Sequence, residues 1–128
     1  MFGPLEVTRM AQALAAHAGA RQGVVAQNIA QADTPGYHAQ DLPGFAETYG
    51  AGAAFPLRAT RPGHILNDTV ASQPVARNVA GSASPNGNTV SLETEMVRAV
   101  AVKQDHDMAL AIYRSVSTII RASLGRSR

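Results

Sequence analysis

Histidine and aspartate are the residues of this chain whose chemistry suits metal binding or proton transfer. A zinc site needs ligands at i,i+4 or short-loop spacing, and no two of the histidines have that spacing. The two aspartates beside the last histidine are two positions apart, so on a helix they face different sides. We therefore expect no metal site and no cofactor. The residues concerned are His17, His38, His64, Asp105, His106 and Asp107.

The sequence also lacks the patterns of nucleophilic and phosphate chemistry. No nucleophile occupies a strand-to-helix elbow, and no glycine-rich phosphate loop is present. Cysteine is absent, which excludes disulfides and thiolate metal sites. An enzyme needs a pocket of convergent polar groups, and nothing in the pattern supplies one. We expect no catalytic residue and no enzymatic activity.

The apolar residues of the chain are mostly small. Its 128 residues are enough for one domain. Although 45% of them are hydrophobic, only three are Phe, three are Tyr and none is Trp. Because aromatic side chains bury the most area, the chain alone can build only a thin core. It therefore folds with partners, or part of it stays loose until partners bind.

Charge and hydropathy exclude two classes of partner. The net charge is +2, but the arginines are scattered, whereas a nucleic-acid surface needs a basic stripe with stacking aromatics. No stretch of 18 residues is apolar and uncharged, so we expect no membrane insertion. The first 22 residues lack a basic region followed by a continuous apolar run, so we expect no cleaved signal peptide.

Residues 4–32 have the pattern of a helix. Pro4 suits the first helical position, and Glu6 favours the positive end of the helix dipole. Apolar residues recur at spacings of three, four or seven, which places them on one stripe. Asp33-Thr34-Pro35-Gly36 ends the helix, because proline disfavours helical geometry in the residue before it. The stripe consists of Met10, Leu14, Ala18, Val25, Ile29 and Ala32.

Residues 91–124 predict a second, longer helix. Ser91 suits the N-cap, and Lys103 can pair with Asp107 on the exposed side. Spacings of four and three alternate without a break, as in a heptad seam, and the polar seam residues Lys103 and His106 set the register. Titration of His106 at an interface is an alternative. The seam consists of Leu92, Met96, Ala99, Lys103, His106, Leu110, Tyr113, Ser117, Ile120 and Leu124.

The middle of the chain, residues 33–90, has no sustained periodicity. Five of the seven prolines lie in residues 37–90. Short apolar runs at 55–57 and 65–66 can form strands, and Asn86-Gly87 predicts a turn. We predict a single, mainly α domain over residues 1–128. In it, the two terminal helices pack as an antiparallel coiled-coil-like pair, and the middle is irregular with short strands.

An antiparallel pair hides only part of the two apolar stripes, so the remainder needs other subunits. The predicted subunit-interface residues are Met10, Leu14, Val25, Ile29, Tyr37, Leu92, Met96, Leu110, Tyr113, Ile120 and Leu124.

Three segments resemble the flagellar basal-body rod protein B family (FlgB). Residues 27–45 are similar to the motif that closes the N-terminal helix of flagellar axial proteins, with Gln27 and Gln31 in place of two asparagines. TRPGHI at residues 60–65 and NGNTVSLETEM at residues 86–96 resemble the middle of that family and the start of its C-terminal helix. The residues that match the motif are Asn28, Ile29, Ala30, Thr34, Pro35, Gly36 and Tyr37.

The resemblance implies a structural subunit of the proximal rod, which transmits torque from motor to hook and is needed for motility. It implies export from the cytoplasm by the flagellar type III apparatus and a place in the periplasmic part of the basal body. The implied partners are other copies of the chain, other proximal and distal rod proteins, and the adaptor protein at the inner-membrane ring. The alternative is a soluble coiled-coil adaptor or export chaperone that uses the same seam to bind one partner.

Overall fold

The computed structural model describes residues 3–51 and 74–125. Two long helices, α1 (Gly3–Ala30) and α3 (Leu92–Leu124), make up most of this part. Between them lie a short helix, α2 (Phe45–Ala51), and two short strands, β1 (Gln40–Asp41) and β2 (Arg77–Asn78). The predicted mainly α fold with a part-β middle is confirmed. The apolar runs predicted as strands at 55–57 and 65–66 lie outside the described residues.

Helix α1 begins and ends close to the predicted positions. Pro4 and Glu6 lie in its first turn. The helix ends at Ala30, two residues before the predicted end, because the amide of Gln31 is already shared between the carbonyls of Gln27 and Asn28, at 3.0 and 3.2 Å. Such a shared bond tightens the last turn. The chain then turns away through Gly36, whose φ of 72° suits glycine.

Helix α3 confirms the predicted cap. The Ser91 hydroxyl accepts a hydrogen bond from the amide of Thr94 at 3.5 Å, and Glu93 and Glu95 lie in the first turn. Lys103 and Asp107 form the predicted pair at 3.0 Å on the exposed side. At the other end, the amide of Gly125 donates to the carbonyl of Arg121 at 2.8 Å. Local signals at the helix ends are therefore sufficient to define α3.

The two long helices pack against each other as an antiparallel pair. Asn28, near the end of α1, contacts Glu95, near the start of α3, whereas Ala18 shares a groove with Val102. The residue numbers of the contact positions thus increase along α3 as they decrease along α1. The residues buried between the helices are small and spaced by seven, which lets the backbones approach closely. They are Ala11, Ala18 and Val25 on α1, and Val102 and Ala109 on α3.

The predicted stripes coincide only in part with this buried line. Met10 and Ile29 are exposed, and on α3 the buried residues precede the predicted Met96, Lys103 and Leu110 by one position. The sequence pattern favours the larger side chains because each offers more apolar area. The helix pair instead buries small ones, because close packing between two helices requires little bulk at the contact.

Helix α2 was not predicted, because residues 33–90 lack helical periodicity. It is positioned by its contacts with α1. A ring nitrogen of His17, Nε2, lies 2.8 Å from the carbonyl oxygen of Pro43, and the ring of His17 packs edge-on against Phe45 at 5.7 Å between centroids. Phe45 in turn stacks on Tyr49. Tertiary contacts thus stabilise a helix too short to form alone.

Strands β1 and β2 pair antiparallel beside this short helix. Gln40 is opposite Asn78, and Asp41 is opposite Arg77. No helix in residues 3–51 or 74–125 has an apolar stretch that would cross a membrane.

Candidate functional site

Three polar side chains are buried where α1 ends and α3 begins. Asn28, Asn88 and Glu95 are 0%, 2% and 1% exposed, and we call this cluster the polar junction. They are the fully buried polar residues of the described part of the chain. Burying a polar group is unfavourable unless it forms hydrogen bonds. The junction is therefore stable only if each of its buried polar groups forms hydrogen bonds.

Asn28 uses the full hydrogen-bonding capacity of its amide. Its Nδ2 donates to the carbonyl of Gln40 at 2.7 Å and to Oε2 of Glu95 at 3.1 Å. Its Oδ1 accepts from the amide of Gln40 at 3.0 Å and from the hydroxyl of Tyr37 at 3.2 Å. A primary amide has two donors and two acceptor positions, and all four are occupied. One side chain thereby joins α1, β1 and α3.

Asn88 closes the C-terminal end of α1. Its Nδ2 lies 2.8 to 2.9 Å from the carbonyls of Gln31, Ala32 and Thr34, and its Oδ1 accepts from the amide of Val90 at 2.7 Å. These three carbonyls belong to the turn that follows α1. Asn88 therefore holds that turn from the loop that leads into α3.

The turn after α1 fits closely against the same loop. The amide of Gly36 donates to the carbonyl of Asn86 at 3.1 Å, and the amide of Thr89 donates to the carbonyl of Tyr37 at 3.0 Å. Gly87 has a φ of 82°, and a Cβ there would lie 3.5 Å from the Cα of Gly36. The predicted Asn86-Gly87 turn is confirmed, and it packs on the Thr-Pro-Gly-Tyr turn.

Two arginines and two carboxylates form a charged cluster beside the junction. Arg21 forms a bidentate pair with Asp41, with both N–O distances at 2.7 Å. Arg98 contacts Oε1 of Glu95 at 2.6 Å and lies 4.0 Å from Asp41. Burial raises the pKa of Asp41, but the hydrogen bonds from Arg21 and the amide of Leu42, with the charges of Arg21 and Arg98, outweigh it, so this pKa is lowered. The hydrogen bond to Asp41 likewise raises the pKa of Arg21.

The hydrogen bonding of the buried polar groups is complete. Each buried side-chain nitrogen and oxygen in residues 3–51 and 74–125 has a hydrogen-bond partner. A shallow, mostly apolar groove between α1 and α3 has Lys103 and His106 among its lining residues.

The histidines that prompted the metal hypothesis are separated in space. His17 binds the loop before α2, His38 is exposed after the turn, and His106 is half-buried on α3. His64 lies outside the described residues. Among the residues that the structure describes, no three His, Cys, Asp or Glu side chains converge as metal ligands would.

Exposed apolar side chains are the second notable feature. Met96, Val97 and Val100 of α3 are 64%, 71% and 68% exposed, and we call them the outer patch. Val100 also lines the edge of the groove between α1 and α3. Contiguous exposed apolar area of this kind is typical of protein–protein contacts. The predicted interface residues include Met96 but not Val97 or Val100, which lie outside the heptad seam.

The predicted interface residues fall into three groups in the structure. Val25 is 1% exposed and packs inside the helix pair. Tyr37 is half-buried because its hydroxyl bonds to Asn28. Leu14, Leu110 and Ile120 are half-buried at the edge of the helix contact. The remaining predicted residues are exposed: Met10, Ile29, Leu92, Met96, Tyr113 and Leu124.

A comparison with known proteins supports the family suggested by the sequence motifs. No family model matches the chain. The flagellar basal body rod protein FlgB of Agrobacterium fabrum is 27% identical to it over an alignment of 128 positions that covers 96% of each protein. The chain resembles FlgB along nearly its whole length. This similarity confirms the resemblance inferred from the motifs.

The FlgB-like motifs coincide with the polar junction. The first motif contributes Asn28, Tyr37 and the Thr34 carbonyl, and the NGNTVSLETEM segment contributes Asn88 and Glu95. Residues 60–65, the third matching segment, lie outside the described part. The residues that carry the resemblance therefore meet in space although they are about 60 positions apart in the sequence. The motif residues thus hold the two segments together through hydrogen bonds.

Proposed function

We propose that this chain is a non-enzymatic structural subunit of the bacterial flagellar rod. The observation that carries the proposal is its similarity to a flagellar basal body rod protein over 96% of both chains. Similarity over the full length of both chains favours a shared role more than similarity confined to one helix would. In this proposal the chain belongs to the proximal rod, and cell motility requires it.

The exposed apolar residues support an assembled state. On α3 the outer patch and Leu92 lie on the surface, and on α1 Leu5 and Met10 do. A helical assembly repeats heterologous contacts between such surfaces. The neighbours that cover them are other copies of the chain, other proximal and distal rod proteins, and the adaptor at the inner-membrane ring.

The proposed mechanical role follows from packing. A shaft transmits torque only if its subunits resist sliding, and close-packed interfaces resist deformation. In the proposal, α1 and α3 are the elements that pack between subunits. In the proposal, the chain reaches the periplasmic rod through the flagellar type III apparatus.

A genetic test can separate the outer patch from the rest of α3. We expect Met96→Asp/Val100→Asp to abolish swimming and incorporation into isolated basal bodies, because buried unpaired carboxylates are strongly unfavourable in an interface. The matched control is Ala111→Asp/Ser115→Asp, with the same i,i+4 spacing at two exposed positions. The control should swim. Equal behaviour of the two variants at equal cellular protein levels would contradict a role for the outer patch.

A biochemical test separates the rod subunit from a coiled-coil adaptor or export chaperone. We expect the purified chain to show partial helicity by circular dichroism at low concentration, and a gain in helicity when proximal rod proteins are added. An adaptor or chaperone would instead be a fully helical, discrete oligomer by sedimentation, indifferent to those proteins. That result would reject the structural-subunit proposal.

A further inference from the structure

The apolar contact between α1 and α3 does not by itself define one alignment. The buried residues on α1 repeat every seven positions at Ala11, Ala18 and Val25, and on α3 at Val102 and Ala109. A slide of α3 by one heptad moves it about 10 Å, at ~1.5 Å per residue. After that slide small apolar side chains again face small apolar side chains. Size and hydrophobicity therefore permit more than one register.

The polar residues of the contact do not repeat in this way. Seven positions before Asn28 the α1 residue is Arg21, and seven positions after Glu95 the α3 residue is Val102. A one-heptad slide in either direction separates the Asn28 amide from the Glu95 carboxylate. A slide that brings Glu95 towards Arg21 would also make it compete with Asp41, which already binds that guanidinium through two hydrogen bonds.

We propose that Asn28 and Glu95 select the single antiparallel register of α1 and α3. A single polar residue at a seam position fixes register in coiled coils and lowers stability in doing so. A buried carboxylate adds little stability relative to an apolar residue of similar volume. Glu95 is nevertheless 1% exposed and bonded to Asn28. Its contribution is therefore to specificity of alignment.

This register also sets the position of the outer patch relative to the exposed residues of α1. Met96 and Val97 follow Glu95 directly, so a slide of α3 carries them along α1 by the same distance. That consequence for assembly rests on the proposed function. The choice of register does not, since it is a property of the folded chain alone.

Spin labels on the full-length chain can measure the register directly. The chain has no cysteine, so labels attach only at introduced sites, and Gln12→Cys with Glu93→Cys places one on each helix at exposed, axially separated positions. We expect one narrow interlabel distance in the parent chain. In Asn28→Leu/Glu95→Leu we expect a second population displaced by about 10 Å, with helicity retained. Helicity should be retained because Gln40, Tyr37 and Arg98 are only half-buried and can bond to water.

The control variant removes an exposed ion pair from the same helix. Lys103→Gln/Asp107→Asn eliminates the 3.0 Å pair on the solvent side, and we expect the single narrow distance to persist. A single unchanged distance in Asn28→Leu/Glu95→Leu would overturn the proposal, and would assign the register to the loop containing Asn88. Loss of helicity in that variant would overturn it too, because the two residues would then be required for folding and not for alignment. A broad distribution of interlabel distances in the parent chain would also overturn the proposal, because it would show that Asn28 and Glu95 do not select a single register.

Discussion

The two ends of the helix pair are stabilised in different ways. At one end, the last turn of α1 and the first turn of α3 are joined by buried polar groups, and residues 84–90 wrap around them. At the other end, where α1 starts and α3 ends, the fully buried residues are the small Ala11 and Ala109, with Leu14 half-buried beside them. Leu5, Ile119 and Leu124 stay exposed there. The junction end thus defines the structure, and apolar surface is exposed at both ends, since the outer patch directly follows Glu95.

This difference follows from the directionality of the two kinds of contact. Hydrogen bonds are favourable over a narrow range of distance and angle, so the junction is compatible with few arrangements. Apolar burial is non-directional and proportional to area, so the open end is compatible with several partners. The junction end combines directional contacts with the exposed outer patch, and a chain that fixes its fold and offers apolar surface in this way is suited to assembly.

The strongest way to break the junction end is Asn28→Leu. The change removes four hydrogen bonds and leaves Glu95 buried with only Arg98. Removing one partner of a buried charged group costs about 3–5 kcal/mol of folding free energy, which urea titration followed by circular dichroism will measure. Adding Glu95→Leu should recover part of the loss, because no carboxylate then remains buried. The exposed neighbour Gln27→Leu is the control and should change stability by less than about 0.5 kcal/mol.

Asn88→Ala should have a smaller effect at the same end. It removes the side-chain donor to the carbonyls of the turn after α1 and the acceptor for the Val90 amide. We expect a loss of about 1–2 kcal/mol, as for other helix caps, with faster amide exchange confined to residues 84–90 and the last turn of α1. The control is the exposed Asn78→Ala. Uniform acceleration of exchange along α1 would instead indicate that Asn88 stabilises the whole helix pair.

Sequence reasoning found the elements of this fold better than the residues that join them. The helix signals at Pro4, Ser91 and Thr34-Pro35 are local, so they are readable without tertiary structure. Asn28 is recognisable only through the family motif, Asn88 lies in a matched segment without an assigned role, and Glu95 is interpreted only as an acid in the first turn of α3. Their partners are up to 67 positions away along the chain, a separation that no local pattern encodes.

The predicted seam of α3 lies one position after the residues that the structure buries, and the reason is similar. Alanine is apolar enough to lie in a helix contact and small enough to lie on a surface, so Ala11 and Ala109 give no periodic signal by themselves. Glu95 reads as a solvated first-turn acid, although it is buried. Only the partner across the contact distinguishes these possibilities, because burial of a charge requires a bonded neighbour.

Acid should weaken the contact between β1 and the helix pair. The folded-state pKa of Asp41 is below its ordinary value of 3.8, so its ionised form stabilises the fold above that pH. This contribution is lost as the pH falls below 3.8 through the lower folded-state pKa. Asp41→Asn should therefore flatten the dependence of unfolding free energy on pH below about 4. The control is Asp107→Asn, which removes an exposed carboxylate paired only with Lys103 and His106, and should leave the dependence unchanged.

Two glycine substitutions should change the folding stability least among these variants. Their effects on stability should have opposite signs. Gly23 lies on the exposed side of α1, and a Cβ there would have no neighbour within 4 Å. Gly23→Ala should therefore raise stability by about 0.5–1 kcal/mol, since alanine is the better helix former. Gly87→Ala should lower it by about 1 kcal/mol or more, because the φ of 82° disfavours a side chain. Thermal melting of both variants measures the difference. A loss of stability in Gly23→Ala would indicate that a neighbour already covers this face of α1, and oligomer formation by the purified chain would then have to be measured before any other variant is interpreted.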